Sequence, residues 1–159
     1  MVHWTQSNER QPRIAIIGAG MSGIAAVVKL RRGGYRNLTV YEKAEQVGGT
    51  WRANRYPGLS CDVPSHWYSF TFNPNPDWTH RFSYGPEIQA YMQATADKFD
   101  VMPLVQFNTG VRALAYDEKG EDGPVWHLTT EHGDKEIYDI VISATGILRQ
   151  PQLPDIRGL

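Results

Sequence analysis

Hydrophobic residues are distributed along this chain in three different rhythms, and each predicts a different kind of element. After a dozen polar, aperiodic residues that predict a flexible tail over 1–12, Arg13-Ile14-Ala15-Ile16-Ile17 is a continuous apolar run of the kind that buried parallel strands show. From Met21 to Arg32 the apolar residues Ile24, Val27, Val28 and Leu30 keep helical spacing, and Gly33-Gly34 supplies a stop. Leu38-Thr39-Val40-Tyr41 returns to a strand pattern, so the first forty residues predict a βαβ unit.

Lys43 to Pro76 is rich in Gly, Pro, Asn and Ser and is too long for an ordinary connection. Its aromatic residues Trp51, Tyr56, Trp67, Tyr68 and Phe70 argue that it is ordered. Pro86 suits the first turn of a helix, and Ile88, Tyr91, Met92, Thr95 and Phe99 continue one helical face toward Asp100. Beyond Pro103 the rhythm becomes period two, predicting strands at 105–108, 111–116 and 125–130, with turns at Gly120-Glu121-Asp122-Gly123-Pro124 and His132-Gly133-Asp134. Ile140-Val141-Ile142 is again a buried, parallel-type run. The expected fold is α/β: a three-layer Rossmann-like domain with a parallel sheet and a small antiparallel β-meander, spanning residues 13–159.

Composition narrows the functions. With 16 Lys and Arg against 17 Asp and Glu the net charge is −1, and no run of like charge invites nucleic acid or an anionic membrane. No apolar stretch approaches the roughly 18 residues of a membrane span, and no signal peptide is evident, so a cytoplasmic location is expected. The single cysteine, Cys61, has no partner within the chain and no neighbours at metal-ligand spacing, so no metal site is expected. His66, His80, His127 and His132 show neither ligand spacing nor an acid-base partner.

The chemistry begins where the first strand ends. Gly18-Ala19-Gly20-Met21-Ser22-Gly23 fits G-x-G-x-x-G between a predicted strand and a predicted helix. In that setting the first glycine permits the tight turn, the second lets backbone amides approach a pyrophosphate, and the third lets helix and strand pack closely. Met21 and Ser22 then open the helix. Glu42 ends the second strand, where a carboxylate can accept hydrogen bonds from a ribose and repel a 2′-phosphate. A plain glycine-rich turn and an exposed strand-end carboxylate are the alternatives. These features alone leave FAD and NAD equally open, since both present an ADP moiety to the same turn.

The next segment separates them. From Gly48 to Asp62 the sequence Gly48-Gly49-Thr50-Trp51, then Tyr56-Pro57-Gly58, then Asp62 fills the spaced pattern [A/G]-G-x-W-x-x-x-x-[F/Y]-P-[G/M]-x-x-x-D. In this it resembles the FAD-binding part of Baeyer–Villiger-type flavin monooxygenases, and the likeness runs on through Val63-Pro64-Ser65-His66-Trp67-Tyr68-Ser69-Phe70 and beyond. The resemblance implies FAD bound by Gly18, Gly20, Ser22, Gly23, Glu42, Gly49, Thr50, Trp51, Asp62 and Tyr68. It also implies that Val111 meets the adenine through its backbone, and that Ala144-Thr145-Gly146 closes the FAD domain. Asp62 matches the family carboxylate that orients an essential arginine close to the flavin, which makes it the expected catalytic-site residue.

The implied activity is insertion of one oxygen atom from O2 into a ketone, or oxidation of a sulfide or amine, at the expense of NADPH. The family's NADPH-binding domain and its arginine would follow Leu159, so a truncated two-dinucleotide-domain flavoprotein, inactive by itself, is expected. A catalytically inactive FAD-binding fragment and an NAD-dependent dehydrogenase domain are the rival readings.

Overall fold

The computed structural model describes residues 10–120, 123–148 and 153–158. Of the sequence expectations, the tail over 1–9, Glu121 and Asp122 of one turn, residues 149–152 and the boundary at Leu159 lie outside these residues.

Strand β1 (Ile14–Ile17), helix α1 (Met21–Arg32) and β2 (Leu38–Tyr41) form the expected βαβ unit. The short α2 (Thr50–Ala53) and the longer α3 (Gly85–Lys98) follow, then β3 (Val105–Gln106), β4 (Val111–Asp117), β5 (Val125–Thr130), β6 (Lys135–Tyr138) and β7 (Ile140–Ser143). One sheet has the order β3-β2-β1-β7, with every described pairing parallel, and the second has the order β4-β5-β6 and is antiparallel.

Side chains of a strand alternate between its two faces, and here each face meets a different layer. Ile14, Ile16, Leu38 and Val40 point into a core shared with Ile24 and Val27 of α1 and Ile88 and Met92 of α3. Ala15 and Tyr41, one residue out of phase, pack instead with Leu128 of β5 and Tyr138 of β6. The layers are therefore helices, parallel sheet, antiparallel sheet. The hydroxyls of Tyr41 and Tyr138 meet at 2.7 Å inside the second interface. Burial, and then this hydrogen bond, raise the pKa of Tyr41 above the ordinary tyrosine value.

Three elements differ from expectation. The run at 105–108 is not part of the meander: only Val105 and Gln106 form a strand, and they pair parallel with Val40 and Tyr41. Period two marks a strand without saying which sheet it joins. Residues 135–138, which carry no clear apolar signal, form the third meander strand, held by pairs such as His127 with Ile137. Thr50–Ala53 makes one helical turn within the long loop.

That loop is ordered by aromatic packing against α3. Phe70 stacks on Phe72 and Tyr91 at 4.9 and 5.7 Å, and Trp78 lies 5.0 Å from Tyr91. The Tyr91 hydroxyl accepts from the Phe70 amide and donates to the Asn73 carbonyl, tying the loop to the helix at both points. Trp67 departs from its neighbours and is 80% exposed. At the start of the described chain, Asp139 accepts hydrogen bonds from the Arg13 amide and guanidinium and from Arg10. No helix among the described residues is long and apolar enough to cross a membrane.

Candidate functional site

A cavity of about 480 Å³ opens along the edge where β1, β2 and β7 end. Its floor is the glycine-rich turn. Gly18 sits at φ +104°, and its amide donates to the Tyr41 carbonyl at 2.8 Å. A Cβ there would stand 2.7 Å from the carbonyl oxygen of Ala144, so the turn is closed against β7 as well as β2. Gly23 faces away from the cavity: a Cβ on it would lie 1.9 Å from the Gly18 carbonyl, which is the close helix–strand contact expected of the third glycine.

The second glycine meets another backbone. The Gly48 amide donates to the Ala19 carbonyl at 3.0 Å, laying the 48–49 segment across the turn. Gly49 has φ +54°, and a Cβ there would come within 3.1 Å of Gly20 Cα. Gly20 stands at the N-cap of helix α1 and makes no side-chain cap, so the first-turn amides are not answered by a capping side chain. A bare helix N-terminus inside a backbone cradle that side chains would fill is suited to a pyrophosphate.

Glu42 stands beside this cradle and is 4% exposed. Its Oε2 accepts from the Ala19 amide at 2.8 Å, and its Oε1 from the Ala44 amide at 2.9 Å. Two fixed amides hold the carboxylate in one orientation, and an ionised carboxylate offers about four acceptor positions, leaving capacity for two hydroxyls of a ribose. The donor set therefore fits an ADP moiety.

The other end of the cavity is aromatic. The indole of Trp51 donates to the Tyr68 hydroxyl at 3.0 Å, and the rings meet edge to face at 5.7 Å. Gly18, Gly20, Ser22, Glu42, Gly49, Thr50, Trp51, Tyr68 and Val111 all line this one space, although they come from four separate parts of the chain. Gly23 lies behind it. Asp62 is not in the lining: it is exposed, while its neighbours Cys61 and Val63 pack into the cluster that also takes Trp51 and Tyr68. Arg52 faces Glu45 at 3.4 Å and, with Arg55, borders a second cavity on the far side of Trp51, not the cradle.

Several lining residues escaped the sequence reading. Thr109, Gly110 and Glu131 wall the cavity beyond Glu42. The Thr109 amide donates to the Glu42 carbonyl and the Glu131 amide to the Gly110 carbonyl, at 2.9 and 2.8 Å. No fixed spacing links them to the glycine-rich turn. Only the docking of the meander on the parallel sheet brings them there.

The sequence profile of NAD(P)-binding Rossmann-like domains matches residues 16–88. A Baeyer–Villiger monooxygenase of Streptomyces coelicolor is 46% identical over 147 residues, covering 92% of this chain and 28% of its own length. Among solved structures, the cyclohexanone monooxygenase from Rhodococcus sp. Phi1 bound to NADP+ has a TM-score of 0.84 at 34% identity, covering 93% of this chain and 28% of that one. OTEMO, in a complex with FAD and NADP, has a TM-score of 0.83 at 33% identity, covering 96% of this chain and 29% of its own. The chain thus spans little more than a quarter of the length of the proteins it matches.

Proposed function

Since this chain belongs to the Baeyer–Villiger monooxygenase family over nearly its whole length, we propose that residues 13–159 are the FAD-binding domain of an NADPH-dependent flavin monooxygenase. The reaction would place one oxygen atom from O2 into a ketone, or oxidise a sulfide or amine. A cytoplasmic location goes with the need for NADPH. The observation that carries this reading is the cavity in which an uncapped helix start, the pinned Glu42 carboxylate and the Trp51–Tyr68 pair face one space. A simple dehydrogenase turn has no use for the aromatic end.

Bound there, FAD would supply the redox and oxygen chemistry, with NADPH as the reductant. The chain's own residues bind and orient. First-turn amides of α1 and the Gly20–Gly49 cradle hold the pyrophosphate, and Glu42 takes the adenosine ribose. The Gly49-Thr50-Trp51 segment with Tyr68 shapes the flavin end, where the two rings lock each other in place. The Tyr68 hydroxyl accepts from Trp51 and so keeps its own proton to donate toward the cavity. Asp62 is assigned to position an arginine supplied by another part of the complete protein.

The profile match to NAD(P)-binding domains favours a second reading, nicotinamide dinucleotide at the same turn. Titration of the flavin-stripped full chain with FAD, in the presence and absence of excess NAD and NADP, separates the two. Quenching of flavin fluorescence that neither nucleotide displaces is the expected result. Displacement by NAD from this cavity would overturn the FAD assignment.

A further inference from the structure

A ladder of hydrogen bonds orders the cavity from phosphate to base. The Ala19 amide in the glycine-rich turn reaches the Glu42 carboxylate, the Thr109 amide reaches the Glu42 carbonyl, and the Glu131 amide reaches the Gly110 carbonyl. If pyrophosphate lies on the first rung and ribose on the second, the adenine falls on the third, between Val111 and Glu131. The register between β4 and β5 slips between Val111 and Ala113, so the strand bends where the cavity needs a wall.

Glu131 differs from Glu42 in one respect. Among the described residues its carboxylate makes no hydrogen bond and no ion pair, although it borders the cavity. Gly110 leaves room for it: a Cβ on Gly110 would stand 2.3 Å from Glu131 Cδ and 2.4 and 2.6 Å from its oxygens. Gly110 has no positive φ, so the value of glycine here is space and not backbone freedom. We propose that Glu131 reads the purine, accepting a hydrogen bond from the 6-amino group of adenine, so that a base lacking that group is held less well. This rests on the reading that FAD occupies the cavity. It adds to that reading a determinant of base identity on the meander, distinct from the turn that holds the phosphates.

The test uses two dinucleotides that differ at one position, FAD and its analogue in which hydrogen replaces the 6-amino group of the purine, titrated into the flavin-stripped full chain. The unaltered protein should prefer FAD by about tenfold, the low end of what a hydrogen bond to a charged group supports at an exposed rim. Glu131→Ala should cut that ratio severalfold, toward the share left to the Val111 backbone, and Glu131→Gln, which keeps a carbonyl acceptor, should retain more of it. Because the ratio is taken within each protein, a general loss of stability cancels. An unchanged preference in Glu131→Ala, or none in the unaltered protein, overturns the assignment of Glu131 while leaving FAD in place. Failure of both dinucleotides to bind overturns the FAD reading beneath it.

Discussion

Glu42 and Asp62 are carboxylates only twenty residues apart in the chain, and the molecule treats them in opposite ways. Glu42 is buried at a strand end, held by two backbone amides and open to the cavity. Asp62 is exposed on the long loop and makes no hydrogen bond or ion pair among the described residues. The first sits in a region finished by local structure, because the turn after β1 and the residues just past β2 supply both amides that hold its carboxylate. The second sits in a region anchored from below by Cys61 and Val63 but not answered from above. A group that binds a ground-state ligand is best pre-set, whereas one that positions a distant catalytic group has its partner elsewhere.

If that contrast is right, the two carboxylates should fail differently. The largest effect is expected at Asp62. In the complete enzyme, with its NADPH-binding part present, Asp62→Ala should lower the rate of oxygenation by about a hundredfold or more, the range found when one preorganised electrostatic contact is lost, with FAD affinity unchanged. Product formation from a ketone together with flavin titration would show it. A variant that oxygenates normally would make Asp62 a surface residue and nothing more.

Glu42 should show the reverse. Glu42→Ala removes charge-assisted hydrogen bonds of about 1.5–3 kcal/mol, so FAD should bind roughly ten- to a hundredfold more weakly. The rate at saturating FAD should change much less. Equal affinity in the variant and the unaltered protein would break the comparison from its buried side.

A third carboxylate sharpens it. Asp139 joins the start of β7 to the start of β1 through Arg13 and Arg10 and lies outside the cavity lining. Asp139→Asn should cost about 2 kcal/mol of stability while leaving both FAD affinity and turnover alone. The Arg13 side-chain hydrogen bonds, then the Arg13 amide and Arg10, hold its carboxyl below the usual carboxylate range, against the opposing effect of burial. A depressed folded-state pKa means that this stabilisation is present above the unfolded value of about 3.9 and is lost as pH falls through the folded value. Denaturant titrations between neutral pH and strong acid should therefore show the gap between the two proteins closing only at the acid end. A gap that persists in acid would assign it to packing.

How much of this was legible in the sequence depends on whether the signal was local. The turn from Gly18 to Gly23, helix α1 and Glu42 carry local signals within one βαβ unit, and their sequence reading matches the fold closely. Phe70 is buried and Tyr68 half-buried, but Trp67 points outward, because an irregular loop has no period to fix which aromatic faces in. β3 was legible as a strand but not as a member of the parallel sheet, since only the path of α3 carries it back to β2. Glu131 could not be read as part of any site, because sheet-on-sheet docking around Tyr41 and Tyr138 brings it to the cavity.

The strand order β3-β2-β1-β7 has a consequence for how the protein is made. β1 pairs Ile14 with Leu38 on one side and with Ile140 on the other, so its first partner leaves the ribosome early and its second more than a hundred residues later. At synthesis rates of about 5–20 residues per second, β1, α1 and β2 wait several seconds or more for β7. Because Gly18 packs against Ala144, just past β7, the turn reaches its final shape only after that wait. Until then the nascent chain exposes an open sheet edge beside an unfinished nucleotide cradle, and closing so long a loop adds a late, long-range step to folding. FAD bound once β7 has emerged would then act as a ligand that traps the late strand in place.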